Sequence, residues 1–352
     1  AGCNNLDHAP PGSDPQRLDG GTVFPLNTVA VVALRISDEV ECNLYINGAQ
    51  VRQAEIGKCS IGTFRGYHLG TRNSANGRWW PGQIHEVIIY DRALSTTEVK
   101  QVNTYLMAKY GVVAGLPNEI PDLAIWLDAD DIYLKDGDPV GTWPDRSGNA
   151  KHAVQETPAA RPVFRKALAN GHSTVDFSTG EHYLTAPHTD TDGDSSRTMF
   201  VAVNLTKPAH TGEYTTFLNA YPNFCAGYLA VMPTNKLQGG FTDTAIAPCG
   251  SEPLRLNTSG VFPLNQTCIA AMRIEDEVNG TLYLNGVQVA QKSMGGKCTL
   301  GSFKGYRVGT RESADGRWWQ GQIHEVIIYD RALSAAEVKQ VNTYLMAKYG
   351  VA

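Results

Sequence analysis

The sequence lacks any run of lysines and arginines. Its 30 basic residues stand against 35 acidic ones, for a net charge of −5. A chain that neutralises phosphates needs a basic stripe, so nucleic acid is not an expected partner. Long apolar runs are missing too. The longest, such as Val29 to Leu34, fall well short of the ~20 residues that cross a bilayer as a helix. None of the seven cysteines forms a CxxC pair, which argues against zinc and against thioredoxin-like redox chemistry. There is no P-loop and no GxSxG elbow. His85-Glu86 and His324-Glu325 lack the second histidine of a zinc protease, because Ile89 and Ile328 stand there instead. No initiator methionine or leader opens the chain and residue 1 falls inside a repeated module, so a processed chain or a fragment is expected.

What is present suits a folded, turn-rich protein: 42% hydrophobic and 18% charged residues, with 35 glycines and 18 prolines. Cys3, Cys42, Cys59, Cys225, Cys249, Cys268 and Cys298 are scattered along it. In such a chain they read as disulfides formed in an oxidising compartment, which places the protein outside the cell or at its surface; buried thiols are the other reading. Cys42 and Cys59 flank the Asn47-Gly48 turn, and Cys225 and Cys249 flank the turn near Asn235-Lys236, so each pair is a cross-strand candidate. Cys298 is left to Cys268, because Gly280 replaces the counterpart of Cys42. The odd count leaves one cysteine over, with Cys3 the candidate.

The dominant feature is an internal repeat. Residues 77–113 and 316–352 differ at only four positions, at an offset of 239. The match runs backwards with more divergence: LYINGAQV (44–51) against LYLNGVQV (282–289), and APPGSDPQRL (9–18) against APCGSEPLRL (247–256). Residues 114–238 have no second copy. The chain therefore reads as the C-terminal half of a module (1–113) followed by a complete module (114–352), across a short joint.

Most of the module reads as short strands between turn residues. Asn47-Gly48 is a strong hairpin signal. QIHEVIIYD alternates as a sheet strand, with Ile84, Glu86, Ile88 and Tyr90 on one face and His85, Val87, Ile89 and Asp91 on the other. One helix is clear. Ser95 and Glu98 form a capping box, Val99, Val102, Leu106 and Tyr110 share a face, and Gly111 provides the stop. Ser334, Glu337, Val338, Val341, Leu345, Tyr349 and Gly350 repeat the design. Many strands with one terminal helix point to an all-β sandwich or jelly roll.

The segment GQIHEVIIYDRALSTTEVKQVNTYLMAKYG resembles the C-terminal fingerprint of laminin-G-like, concanavalin-A-like jelly-roll domains. LAIWLDADD (123–131), TWPDRSGNAKHAVQ (142–155), ARPVF (160–164) and HSTVDFSTGEHYL (172–184) resemble the opening of the same domains. The resemblance implies an antiparallel jelly-roll sandwich with one short C-terminal helix per module. It makes Trp126, Trp143, Trp80 and Trp319 core residues, DRSGN (145–149) a structural turn, and Glu86 and Glu325 parts of a structural strand. Related glucanases carry E-x-D-x-E along one strand. Here Glu86 or Glu325 stands alone and Asp91 or Asp330 faces away, so no catalytic residue is expected.

Two binding features remain. Asp190, Asp192 and Asp194 alternate in a loop and can converge on Ca²⁺, although the rest of an EF-hand loop is missing; a solvated acidic turn is the alternative. Trp79 and Trp318 are expected to be exposed, either to stack on sugar rings or to meet a neighbouring module, with the module contact slightly preferred. Sequons start at Asn204, Asn257, Asn265 and Asn279. The function expected is a non-catalytic structural or adhesive repeat of an extracellular, filament-forming or surface protein, partnered by copies of the same module. The alternative is a carbohydrate-binding lectin, with Ca²⁺ as its one candidate cofactor.

Overall fold

In this computed structural model the chain divides into two compact units, Ala1–Ala114 and Gly115–Ala352. The structure describes residues 2–3, 16–17, 29–37, 41–55, 66–71, 79–110, 112, 117–189, 196–208, 213–222, 227–241, 254–275, 279–293 and 303–351.

The first unit contains the short pair β1 (Gly2–Cys3) and β2 (Gln16–Arg17), the meander β3 (Val32–Ser37), β4 (Glu41–Ile46) and β5 (Ala49–Glu55), and the helix α1 (Thr96–Tyr110). The β4–β5 hairpin turns on Asn47 and Gly48, both left-handed (φ 49° and 81°), as a two-residue hairpin of this type requires. The Asn47 side-chain oxygen accepts from the Val31 amide at 3.0 Å. Ser95 and Glu98 cap α1 reciprocally, with Ser95 N donating to Glu98 Oε2 at 2.8 Å and Glu98 N donating to Ser95 Oγ at 3.3 Å. Arg35 Nε ties the meander to the helix entry by donating to the Leu94 carbonyl at 2.6 Å.

In chain order, the second unit opens with β6 (Leu123–Asp128), β7 (Thr142–Trp143), β8 (Ala153–Val154), β9 (Val163–Ala169), β10 (His172–Asp176) and β11 (Leu184–Pro187). It continues with β12 (Arg197–Leu205), β13 (Thr215–Tyr221), β14 (Tyr228–Val231), β15 (Leu237–Phe241) and β16 (Leu254–Asn257). The repeated half supplies β17 (Thr267–Glu275), β18 (Asn279–Leu284), β19 (Val287–Ser293), β20 (Gly305–Val308), β21 (Gly321–Tyr329) and α2 (Ala335–Tyr349).

These strands form two antiparallel sheets. One runs β19-β18-β17-β12-β21-β10-β9, with β6 also paired to β21; the other runs β16-β15-β14-β13-β20-β11-β8-β7. Strands distant in sequence lie side by side, as in a jelly roll. The core between the sheets is built from Trp143, Phe164, Phe177, Phe217, Phe241, Tyr306, Trp319 and the aliphatic rows of β12 and β21. Helix α2 ends at Gly350 in a left-handed cap (φ 66°).

Three sequence expectations need correction. First, β21 does not alternate throughout. A register shift opposite Ala202 and Val203 puts His324 and Glu325 in succession. Ile323, Val326 and Ile328 enter the core, while His324 stacks on Tyr349 of α2, at 5.2 Å between ring centroids, and Glu325 bonds to the same residue. Second, the identical segment in the first unit is not a strand. Residues 83–90 form none, and Ile84, Val87, Ile88, Ile89 and Tyr90 are 38–49% exposed. Trp80 is 47% exposed where Trp319 is fully buried. The residues are the same; what differs is the presence of β6, β10 and β12 alongside β21. Third, Cys268 is a buried free thiol that donates to the Gln266 carbonyl. It packs among the apolar side chains of the core, and burial pushes its pKa up to about 11. It is therefore not half of a disulfide. Cys42 is buried. Cys59, Cys225, Cys249 and Cys298 lie outside the described residues.

Candidate functional site

The two outer faces of the second unit carry different chemistry. On the first sheet, α2 closes over a buried polar cluster centred on Glu325, which is fully buried. Its carboxylate accepts from Trp126 Nε1 (2.6 Å), Tyr344 OH (2.9 Å), Tyr349 OH (2.8 Å) and Lys348 Nζ (2.8 Å). Asp128 is the direct cross-strand partner of Glu325 and also takes Lys348, at 2.7 Å. Glu325 therefore has a second carboxylate beside it, supplied by β6 and not by its own strand. Burial raises the Glu325 pKa, and the attraction of Lys348 opposes that rise. Burial works against the Lys348 charge, but the two carboxylates outweigh it and the pKa rises. His324 is driven down to about 3 by burial and then by the neighbouring Lys348 charge.

This paired-carboxylate arrangement does not face solvent. Every oxygen of Glu325 is engaged, and the helix lies over it. Its physical role is to hold α2 to the sheet. The DRSGN turn serves the same region: Asp145 accepts from the amides of Trp126, Ser147 and Lys151, all within 3.0 Å, and Arg146 lies 4.5 Å over the Trp126 ring.

The outer face of the second sheet has no helix over it among the described residues. Strand pairing sets Thr185, Arg307, Asn219 and Tyr228 in one row across β11, β20, β13 and β14. Their neighbours Leu184, Val308, Leu218 and Leu229 point into the core, so alternation sends this row outward. The Arg307 guanidinium lies between the rings of Tyr183 and Tyr221, 5.0 Å from each centroid. Trp318 stacks against Tyr183 at 6.1 Å between ring centroids. Arg307 Nε donates to the Glu312 carbonyl at 3.0 Å, and its terminal nitrogens bond to no described residue. Asn219 donates to the Glu312 carboxylate at 3.3 Å; its own side-chain oxygen is buried without a partner. Tyr228 lies against Gly240, where any Cβ would collide with its ring.

The arrangement is a half-buried cation framed by aromatic faces, with amide and hydroxyl groups in the same row and the Glu312 carboxylate beside it. Aromatic faces take up the C–H side of a sugar ring, and planar polar side chains bond its hydroxyls. Trp318 thus lies at this site, half-buried. Trp79, its counterpart, is 65% exposed and meets none of these partners. Asp190, Asp192 and Asp194 lie outside the described residues. Among the described residues, no group of three or more histidine, cysteine, aspartate or glutamate side chains could hold a metal ion, and no helix is long and apolar enough to cross a membrane.

Tyr183, Asn219, Tyr221 and Arg307 were not singled out in the sequence. The signal available was divergence inside the repeat: the near-constant stretch GYxxG…SAxGRWW carries His68 and Asn73 in the first copy but Arg307 and Glu312 in the second.

A two-sheet antiparallel sandwich with a C-terminal helix over one sheet defines a jelly-roll lectin or glucanase fold. The chain belongs to the concanavalin A-like lectin/glucanases superfamily, whose laminin-G-type family model matches residues 5–100 and 178–339. That superfamily includes both lectins and glucanases. No curated protein matches the chain. Among solved structures, the binding domain of Paraclostridial mosquitocidal protein 1 is similar at 13% identity, covering 64% of this chain and 52% of that one, with a TM-score of 0.44. The binding domain of botulinum neurotoxin DC in complex with SialylT is 12% identical, covering 65% and 52%, with a TM-score of 0.42. The carbohydrate-binding module of a Ruminococcus gnavus sialidase, bound to α2,3-sialyllactose, is 14% identical, covering 42% and 82%, with a TM-score of 0.35. The match spans about half the length of the two toxin domains.

Proposed function

We propose that this chain is a non-catalytic, carbohydrate-binding piece of an extracellular tandem-repeat protein, with the sugar site on the outer face of the second sheet. The observation that carries the reading is Arg307 held between Tyr183 and Tyr221 in one row with Asn219 and Thr185. Among the described residues the terminal nitrogens of Arg307 bond to no partner, which leaves donors for a sugar hydroxyl. Membership of a lectin-containing superfamily supports the reading. The position of Glu325 and Asp128 under α2 supports a module that binds without cleaving, since a substrate bond cannot reach them.

The test is a glycan array followed by titration calorimetry on the strongest ligand. Arg307→Ala is expected to weaken binding by 10-fold or more, the loss of roughly 1.5–3 kcal/mol that a charge-assisted hydrogen bond contributes, while the circular dichroism of the chain stays unchanged. Absence of any glycan ligand, or full affinity in the variant, overturns the reading. A calcium role for Asp190, Asp192 and Asp194 is a separate proposal; it requires binding that chelation abolishes and that Asp192→Ala loses.

The second reading is a structural or adhesive repeat module of an extracellular surface or filament-forming protein. Its support is the near-identity of 77–113 and 316–352, which suits an array in which copy number matters. Electron microscopy of an ordered fibre with a rise near one module, from protein that binds no glycan, favours it.

A further inference from the structure

The first unit reproduces its counterpart in local detail up to the point where a partner is needed. β3, β4 and β5 pair in the register of β17, β18 and β19, including the irregularity between Leu44 and Tyr45 that recurs between Leu282 and Tyr283. Arg35 bonds the Leu94 carbonyl as Arg273 bonds that of Leu333, both at 2.6 Å. In the second unit β12 lies between β17 and β21, and β6 lies on the far side of β21. In the first unit β3 is the edge of a three-stranded sheet and 83–90 forms no strand. Val32, Leu34 and Ile36 on β3, and Val87 and Ile89 on the segment, are 38–51% exposed. Their counterparts Ala270, Met272, Ile274, Val326 and Ile328 are core residues of the second unit, so β3 and 83–90 present an apolar slot that the missing strands would fill.

Half of the buried polar cluster waits beside it. Glu86 accepts from Lys109 at 3.0 Å and Tyr110 at 2.9 Å, as Glu325 does from Lys348 and Tyr349. In the second unit the remaining bonds come from Tyr344 on α2 and from Trp126 and Asp128 on β6.

We propose that this slot is an interface for an N-terminal half-module: a polypeptide stretch with the sequence pattern of β6 and β12, carried ahead of the first unit by the same polypeptide. The indole N–H of such a stretch bonds Glu86, its aspartate bonds Lys109, and its apolar strand covers Val87 and Ile89. A second copy of the present chain is a poor donor, because its own Ile125, Leu127, Val201 and Val203 are already fully buried.

The test is hydrogen exchange by mass spectrometry on the full chain, with and without a duplicate of residues 115–238 fused ahead of residue 1. Fusion is expected to slow exchange across 83–90 by ~100-fold or more, towards the rate of 321–329. Val87→Asp with Ile89→Asp is expected to cancel that gain while leaving 321–329 unchanged. Unchanged exchange at 83–90 on fusion overturns the proposal. Protection in the unfused chain that rises with concentration, together with a dimer mass, also overturns it, because a second copy is then the occupant.

Discussion

Lys348 is the cation that joins Asp128 and Glu325 under α2, and replacing it with methionine is the sharpest perturbation of the fold. Lys348→Met keeps the length and apolar stem of the side chain. It leaves two buried carboxylates facing each other, with the Lys348 contacts at 2.7 and 2.8 Å lost. Removing one partner of a buried pair costs about 3–5 kcal/mol, because an uncompensated charge stays behind. At about 1.4 kcal/mol per decade, that is a two- to three-and-a-half-decade rise in the opening equilibrium. The assay is urea-dependent hydrogen exchange of the peptide covering Gly321–Tyr329. The protein contains its own control. Lys109 and Glu86 are the same residues in the repeat, but the Lys109 side chain is 45% exposed, so Lys109→Met is expected to change the exchange of its unit little. A loss below 1 kcal/mol for Lys348→Met, or equal losses at the two sites, refutes the claim that burial makes this clasp matter.

Three further outcomes are expected. His324 has its pKa driven down to about 3 in the fold, so the unfolded chain binds the proton first: stability is present above about pH 6.5 and is lost as pH falls towards 3, at ~1.4 kcal/mol per pH unit. Urea denaturation at pH 7 and pH 5 is expected to differ by ~2 kcal/mol in the wild type and by clearly less in His324→Asn. Gly280 abuts the Phe241 ring of the opposite sheet, whereas its counterpart in the first unit is Cys42; Gly280→Cys is expected to cost about 1–3 kcal/mol by overpacking, read from thermal unfolding. Cys268, with its thiol buried and its pKa pushed up to about 11, is expected to resist alkylation in the native chain and to react fully in denaturant, as mass spectrometry of the labelled peptide reports.

Sequence reading succeeded where the determinants are local. The capping boxes at Ser95 and Ser334 and the Asn-Gly hairpins need only their own side chains and backbone, and they appear as expected. The sandwich class followed from strand lengths, turn residues and motif order. What failed is non-local. Residues 83–90 and 322–329 share one sequence, yet only the second is a strand, because pairing with β12 and β6 decides it. The irregularity at His324 cannot be read from alternation, since it depends on register against β12. The Arg307 cluster was invisible for the same reason: Tyr183, Asn219, Tyr221 and Arg307 are spread over more than a hundred residues, and strand order alone brings them together.

The measurement that bears most directly on the proposed function is an exchange footprint of the chain saturated with its best glycan ligand. The account predicts slowed exchange in peptides covering 183–187, 217–221 and 305–318, and none over α2. Protection confined to α2, or to the first unit, contradicts it.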